Sequence, residues 1–343
     1  MNSYPEFIIL PLVQTKEDGS PIDLEQIRQI AKKGLKNCNP EDRLLCWLVL
    51  SGVFPEKAED WDDAITSAMT NYRGFVKHFK IEGYEEKIFA NNTMVTDFGV
   101  EDNKLMELIH NDIIRTGHHI LYFPNKDEKI ANPEDDILIP FHYHMRRLER
   151  ILYIFSKCNP STSYIQGLNE IVAVIYNVVA EGILIFNNNW LKAEAFSFYL
   201  FQNVFAETKL HEFYTVTDHS SIIFKRLNLF MELLSEHLPK LSLLVNKLGI
   251  HPLQFGFKRL TLIFSQDFEI PNLVLLWDSL FAHFNEFIEY ENYLLISYLS
   301  IIEELLCNKD YSQTVEILQK LKICDSLKIV EKANVFWEEK HKN

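Results

Sequence analysis

Two short stretches carry side chains whose types and spacing could do chemistry. In ELIHNDIIRTGHHILYF, residues 107–123, the apolar spacing predicts a helix with a buried stripe of Leu105, Leu108, Ile109 and Ile113, and with Gly117 at the C′ position. Arg115 then falls in the last turn, at the mouth of a loop, with Asp112 three residues before it and in reach of its guanidinium. In CNPSTSYIQGLNEIVAVIYNVV, residues 158–179, a loop of small polar residues feeds a very apolar helix, and the junction holds Tyr164, Gln166 and Gly167. A plain Ser or Asp cap would start that helix more simply, so an aromatic and a primary amide at the junction ask for a reason. Taken singly, each has an ordinary reading. Arg115 could be a surface cation, contributing about a few tenths of a kcal/mol through Asp112 and the helix C-terminus. Gln166 could be a loop residue bonding nearby backbone.

Other chemistry finds less support. His118-His119 and His142-Tyr143-His144 have no carboxylate or Cys at zinc-site spacing and read as solvated or core histidines, so no metal site is expected. No Gly-rich phosphate loop occurs, and 11 Gly in 343 residues are too few for one, so the chain itself is expected to hold no nucleotide. No Ser sits in a nucleophile elbow, and no Cys has a local catalytic signature. The five Cys, without a paired Cys-x-x-Cys, fit a reduced, cytoplasmic setting. A formal charge of −14 argues against nucleic acid or an anionic membrane as the primary partner.

The elements that must position these residues are helical. Helix-period segments run over 22–36, 43–54, 148–158, 170–185, 196–205, 220–238, 255–265, 273–284, 292–306, 313–322 and 327–340, with loops at 80–103, 124–140 and 186–191. Residues 171–186 look membrane-like, but Asn177, Glu181 and Gly182 interrupt the run, which predicts a core helix with no direct membrane insertion. Strand signals are sparse and no repeat emerges. The expected fold is all-α, in two packed lobes.

Together, Ile109-x-x-Asp112-x-x-Arg115-Thr116 and Tyr164-x-Gln166-Gly167 resemble, in order, the two signature motifs of the TBC-domain Rab GTPase-activating proteins. Arg43-x-x-x-Trp47 is similar to that family's leading motif, and Phe123 falls at the aromatic position after Arg-Thr. The chain looks most like the short, single-domain members. The resemblance implies a two-lobed helical domain over 25–335, with a catalytic lobe over about 25–205 and a C-terminal lobe over about 206–335. Residues 1–24 would be an N-terminal extension and 336–343 a tail. It further implies a GTP-bound Rab as partner and a role in vesicle-mediated transport, with GTP and Mg²⁺ held by the partner and no cofactor of the chain's own. Arg115 would be an arginine finger and Gln166 a glutamine finger, with Asp112, Tyr164, Gly167 and Thr116 supporting them. Arg43, Trp47, Ile109, Trp277 and Asp278 would be structural. Such a protein is not a self-contained enzyme; it acts as a monomer that meets membranes only through the Rab. A catalytically silent adaptor on the same fold is the alternative. Leu260 after Arg259, the LVLL before Trp277, and Ser265-Gln266-Asp267 depart from the family pattern and bear on Rab choice.

Overall fold

A computed structural model describes residues 7–14, 19–87, 99–124, 137–212, 219–306, 308–321 and 325–341. Its helices are α1 (Leu24–Ala31), α2 (Pro40–Leu50), α3 (Trp61–His78), α4 (Val100–Arg115), α5 (Gly117–Ile120), α6 (His142–Cys158), α7 (Leu168–Glu181) and α8 (Trp190–Glu207). They continue with α9 (His219–His237), α10 (Pro239–Leu248), α11 (Phe257–Thr261), α12 (Ile270–Ala282), α13 (Phe287–Ile302), α14 (Tyr311–Lys320) and α15 (Ser326–His341). Among the described residues no β-strand forms, so the fold is all-α as expected. The chain divides into two compact units, Met1–Leu24 with Asn37–Val204, and Glu25–Lys36 with Phe205–Asn343. Residues 88–98 of the expected loop at 80–103 and residues 125–136 of that at 124–140 lie outside the described residues; within the first, Tyr84–Glu86 forms a 3₁₀ turn and α4 already begins at Val100.

The first unit is built around α7. Every residue from Leu168 to Ala180 is buried, because α2, α4, α5 and α6 all pack on this helix. That enclosure explains the membrane-like reading of 171–186: a helix covered on all sides needs no polar face. Among the described residues no helix is long and apolar enough to cross a membrane. Gly182, just past α7, allows close approach to α2; a Cβ there would lie 2.8 Å from Leu44 Cβ and 3.0 Å from the Pro40 carbonyl. On α2, the Asp42 carboxylate accepts the backbone N–H groups of Ile8, Ile9 and Leu10, which start a 3₁₀ turn with donors to satisfy. Buried charge fastens α3, α6 and α8. The Arg150 guanidinium forks onto Glu194 at 2.5 and 2.6 Å and also pairs with Glu85, while the Tyr72 hydroxyl donates to Glu194 at 2.6 Å.

In the second unit α15 packs on α12 and α13, and α9 packs on α10 and α13. Gly34, after α1, takes a φ of +77° with its Cα face against Leu275, and the next N–H, of Leu35, donates to Asp278 Oδ2 at 2.8 Å. The helix expected over 255–265 is cut short: α11 ends at Thr261, and Ile263 and Phe264 take φ of +50° and +59°. Side-chain donors claim the backbone here. The buried Arg259 guanidinium donates to the Phe255 and Leu318 carbonyls, and the Trp277 indole N–H to the Ile263 carbonyl at 2.9 Å.

Candidate functional site

Helix α4 carries Arg115, and its rotation is set by a buried carboxylate. Glu149 Oε1 on α6 lies 2.8 Å from His110 Nδ1, while Oε2 accepts from the Tyr84 hydroxyl at 2.7 Å and from Arg146 at 3.0 Å. Drawing His110 inward places Met106, Ile109, Asp112 and Ile113 on the buried face. The expected stripe is therefore corrected: Leu108 is exposed, because the hydrogen-bonding demand of Glu149 outweighs one leucine's burial.

The helix also ends differently from the expectation. Thr116, not a left-handed Gly117, closes α4: its N–H donates to the Asp112 and Ile113 carbonyls at 3.1 and 3.0 Å, and its hydroxyl to the Asp112 carbonyl at 2.9 Å. With those carbonyls satisfied, no αL residue is needed. Gly117 instead opens the short helix α5, whose neighbour Leu138 lies 3.4 Å from where its Cβ would be.

Arg115 projects from the last turn, 69% exposed, while Asp112 beneath it is only 2% exposed. Arg115 Nη1 donates to Asp112 Oδ1 at 3.1 Å. The other carboxylate oxygen accepts the Tyr164 hydroxyl at 2.9 Å. Burial, then the Asp112 charge beside it, pushes the Tyr164 phenol far above its ordinary pKa, so it remains a donor. Tyr164 thus fixes its loop onto α4.

Gly167 follows with φ +108° and ψ −22°, a conformation that favours glycine, and leads straight into α7. Its N–H donates to Asn169 Oδ1 at 2.9 Å, and the Tyr164 hydroxyl lies 3.1 Å from the same oxygen. Asn169 Nδ2 donates to Thr116 Oγ1 at 2.8 Å and, more weakly, toward the Asp112 carbonyl at 3.4 Å. The odd junction therefore has a structural answer: the start of α7 is tied down by an amide that folds back from inside the helix and joins it to the end of α4. Gln166 is left exposed on the turn between them.

The two stretches singled out in the sequence are thus joined through Arg115, Asp112, Tyr164, Asn169, Gly167 and Thr116. Asn169 was not among the expected residues; a lone amide in the first turn of an otherwise apolar helix was the signal available. Ile109 is fully buried under the site. Arg43 is half-buried on α2, where it opposes the upward push of burial on the Glu181 carboxyl, and Trp47 is enclosed in the core. Trp277 and Asp278 are buried in the second unit.

One cluster beside this network could hold a metal. His118 and His119 on α5 lie with their Nε2 atoms 3.3 and 3.2 Å from Glu170 Oε2, in the first turn of α7. Burial raises the Glu170 carboxyl pKa, but the two imidazoles outweigh it and hold it at about 2. The carboxylate missing from the local spacing comes from the other stretch. His144, by contrast, is a core residue, with Nδ1 2.9 Å from the Tyr176 hydroxyl and Nε2 2.9 Å from the Pro124 carbonyl.

Chemically, the arrangement offers a permanently charged guanidinium with one donor anchored and an amide able to donate and accept, both at the surface. A family model for the Rab-GTPase-TBC domain matches residues 41–307. The chain is similar to TBC1 domain family member 13 of Mus musculus, 25% identical over 388 residues that cover 93% of this chain and 95% of that protein. The Homo sapiens protein of that name is 24% identical with the same coverage. Among solved structures, the Ypt/Rab-GAP domain of Gyp1p superposes with a TM-score of 0.72 at 17% identity, covering 96% of each chain. A Chlamydomonas flagellar RabGAP TBC domain gives 0.56 at 16% identity, over 92% of this chain and 86% of that one.

Proposed function

Since the chain belongs to the Rab-GTPase-TBC domain family, we propose that it accelerates GTP hydrolysis by a GTP-bound Rab-family small GTPase, lending it Arg115 and Gln166 in trans. The observation that carries this reading is the shared anchor: Asp112 accepts from both Arg115 and Tyr164, so one buried carboxylate holds Arg115 and the loop on which Gln166 stands. The Arg115 guanidinium would reach the phosphates and neutralise the charge that develops on them in the transition state. Gln166 would hold the attacking water, accepting from it or donating to it while its other end bonds backbone. The left-handed Gly167 lets the backbone approach the nucleotide closely. GTP and Mg²⁺ stay with the partner throughout.

Because Asp112 already holds Arg115, and the Tyr164 hydroxyl and Gly167 N–H already fix the turn that carries Gln166, little reorganisation accompanies docking, which is how preorganised donors lower a barrier. An arginine finger contributes about 10³ to 10⁵ in rate. The test uses a panel of purified Rabs, measured both for capture in their GTP form and for hydrolysis at saturating protein. Acceleration of one or a few Rabs supports the reading. Capture of a GTP-loaded Rab with its hydrolysis unchanged would instead make the chain an adaptor.

A further inference from the structure

We propose that His118, His119 and Glu170 form a binding site for one divalent transition-metal ion of zinc type, clamping α5 to the start of α7 between the segments that carry Arg115 and Gln166. Two imidazoles converge on a single carboxylate oxygen, at 3.3 and 3.2 Å, and the three donor atoms all lie within 4.8 Å of one another. A simple ion pair needs only one imidazole. Zinc with bonds of about 2.0 to 2.2 Å in tetrahedral geometry sets its ligands roughly 3.3 Å apart, the spacing of both imidazole–carboxylate edges. Two of the three edges already have the length that coordination requires, and the third, between the imidazoles, lies within 4.8 Å.

The donor set decides the class of ion. Two imidazoles and one carboxylate suit zinc and its imidazole-favouring neighbours, whereas Mg²⁺ and Ca²⁺ prefer oxygen ligands throughout. Three protein ligands leave a fourth position for water or a group from a partner. His119 is fully buried and Glu170 nearly so, which makes two of the ligands rigid; His118 is 48% exposed and gives the ion its route in. The rings of the two histidines already lie with centroids 4.1 Å apart.

The location gives the site its meaning. Helix α5 begins one residue after Thr116, and Glu170 sits one residue beyond Asn169, the two residues whose side chains tie α4 to α7. A bound ion adds a second bond between the same segments. Metal binding involves this chain alone and is measured without any GTPase, so its failure would leave the proposed Rab activity untouched, and the reverse.

The experiment titrates Zn²⁺ into the purified protein against a competing fluorescent chelator, for wild type, His118→Ala, Glu170→Gln and a Cys158→Ser control. Amide hydrogen exchange is followed with and without Zn²⁺. The half-exposed position of His118 makes His118→Ala the variant that keeps its fold, and circular dichroism checks Glu170→Gln. One equivalent should bind to wild type and to Cys158→Ser. Both ligand variants should bind at least about tenfold more weakly, since even an outer-shell change costs 10- to 100-fold. Exchange at 115–120 and 166–170 should slow on adding Zn²⁺ in wild type and not in His118→Ala. Absence of stoichiometric binding, binding that both ligand variants retain, or exchange indifferent to Zn²⁺ would each overturn the site.

Discussion

Replacing Asn169 with alanine removes a side chain that bonds both stretches of the site. Two of its hydrogen bonds are short, from the Gly167 N–H at 2.9 Å and to Thr116 Oγ1 at 2.8 Å; the contacts with the Tyr164 hydroxyl at 3.1 Å and the Asp112 carbonyl at 3.4 Å are weaker. At about 1 kcal/mol for each good bond, and with partial compensation, the fold should lose about 1 to 2 kcal/mol. Compensation is expected because the Thr116 hydroxyl keeps the Asp112 carbonyl and the Tyr164 hydroxyl keeps the Asp112 carboxylate. The turn bearing Gln166 then loses the anchor of Gly167, whereas Arg115 keeps its own. A displacement of about 1 Å at a positioned group can cost roughly 10²-fold in rate, or about 2.7 kcal/mol of barrier. The variant should therefore unfold earlier in urea and stimulate GTP hydrolysis about a hundredfold less, while its affinity for the GTP-loaded Rab changes little. Wild-type stimulation by an Asn169→Ala protein of undiminished stability would refute the bridging role.

Three further outcomes follow from the packing. Gly182→Ala drives a methyl group against Leu44 and the Pro40 carbonyl, which should cost about 1 to 3 kcal/mol in a thermal or urea melt. Glu149→Ala withdraws the carboxylate that His110, Arg146 and Tyr84 share, and should destabilise the first unit by about 3 to 5 kcal/mol, read by the same melts. His283 in the second unit, stacked on Tyr290, has its pKa lowered to about 4 chiefly by burial, against the pull of the Ser279 carbonyl and with Lys32, His341 and Arg28 adding to the lowering. Unfolded, it would take a proton near pH 6.5, so its contribution is complete above that pH and is lost as pH falls toward 4. The melting temperature of His283→Gln should accordingly fall less than that of wild type over this interval.

Much of the architecture was legible because buried helices impose a period. The runs at 148–158 and 170–185 read as helices and form α6 and α7, and the polar interruptions Asn177, Glu181 and Gly182 separated a core helix from a membrane span. What could not be read depended on partners distant in sequence. The inward turn of His110 requires Glu149 on another helix, and the early end of α11 requires the Trp277 indole. The same holds within the site. Asp112 and Arg115 were recognisable as a local pair, three residues apart on one helix. Asn169 and Glu170 looked like the polar start of an apolar helix; only folding sets one against Thr116 and the other against His118 and His119. Thr116 itself was recognisable, but its capping role was not, since a Gly after it suggested a left-handed cap that its own N–H and hydroxyl make unnecessary.

The most direct test of the account is single-turnover GTP hydrolysis by a responsive Rab at saturating protein, comparing wild type with Arg115→Ala. Arg115 is largely exposed and, among the described residues, pairs with Asp112, so the variant should fold normally and still bind the GTP-loaded Rab. Stimulation should fall by about 10³-fold or more with binding retained. A variant that stimulates as well as wild type would contradict the mechanism.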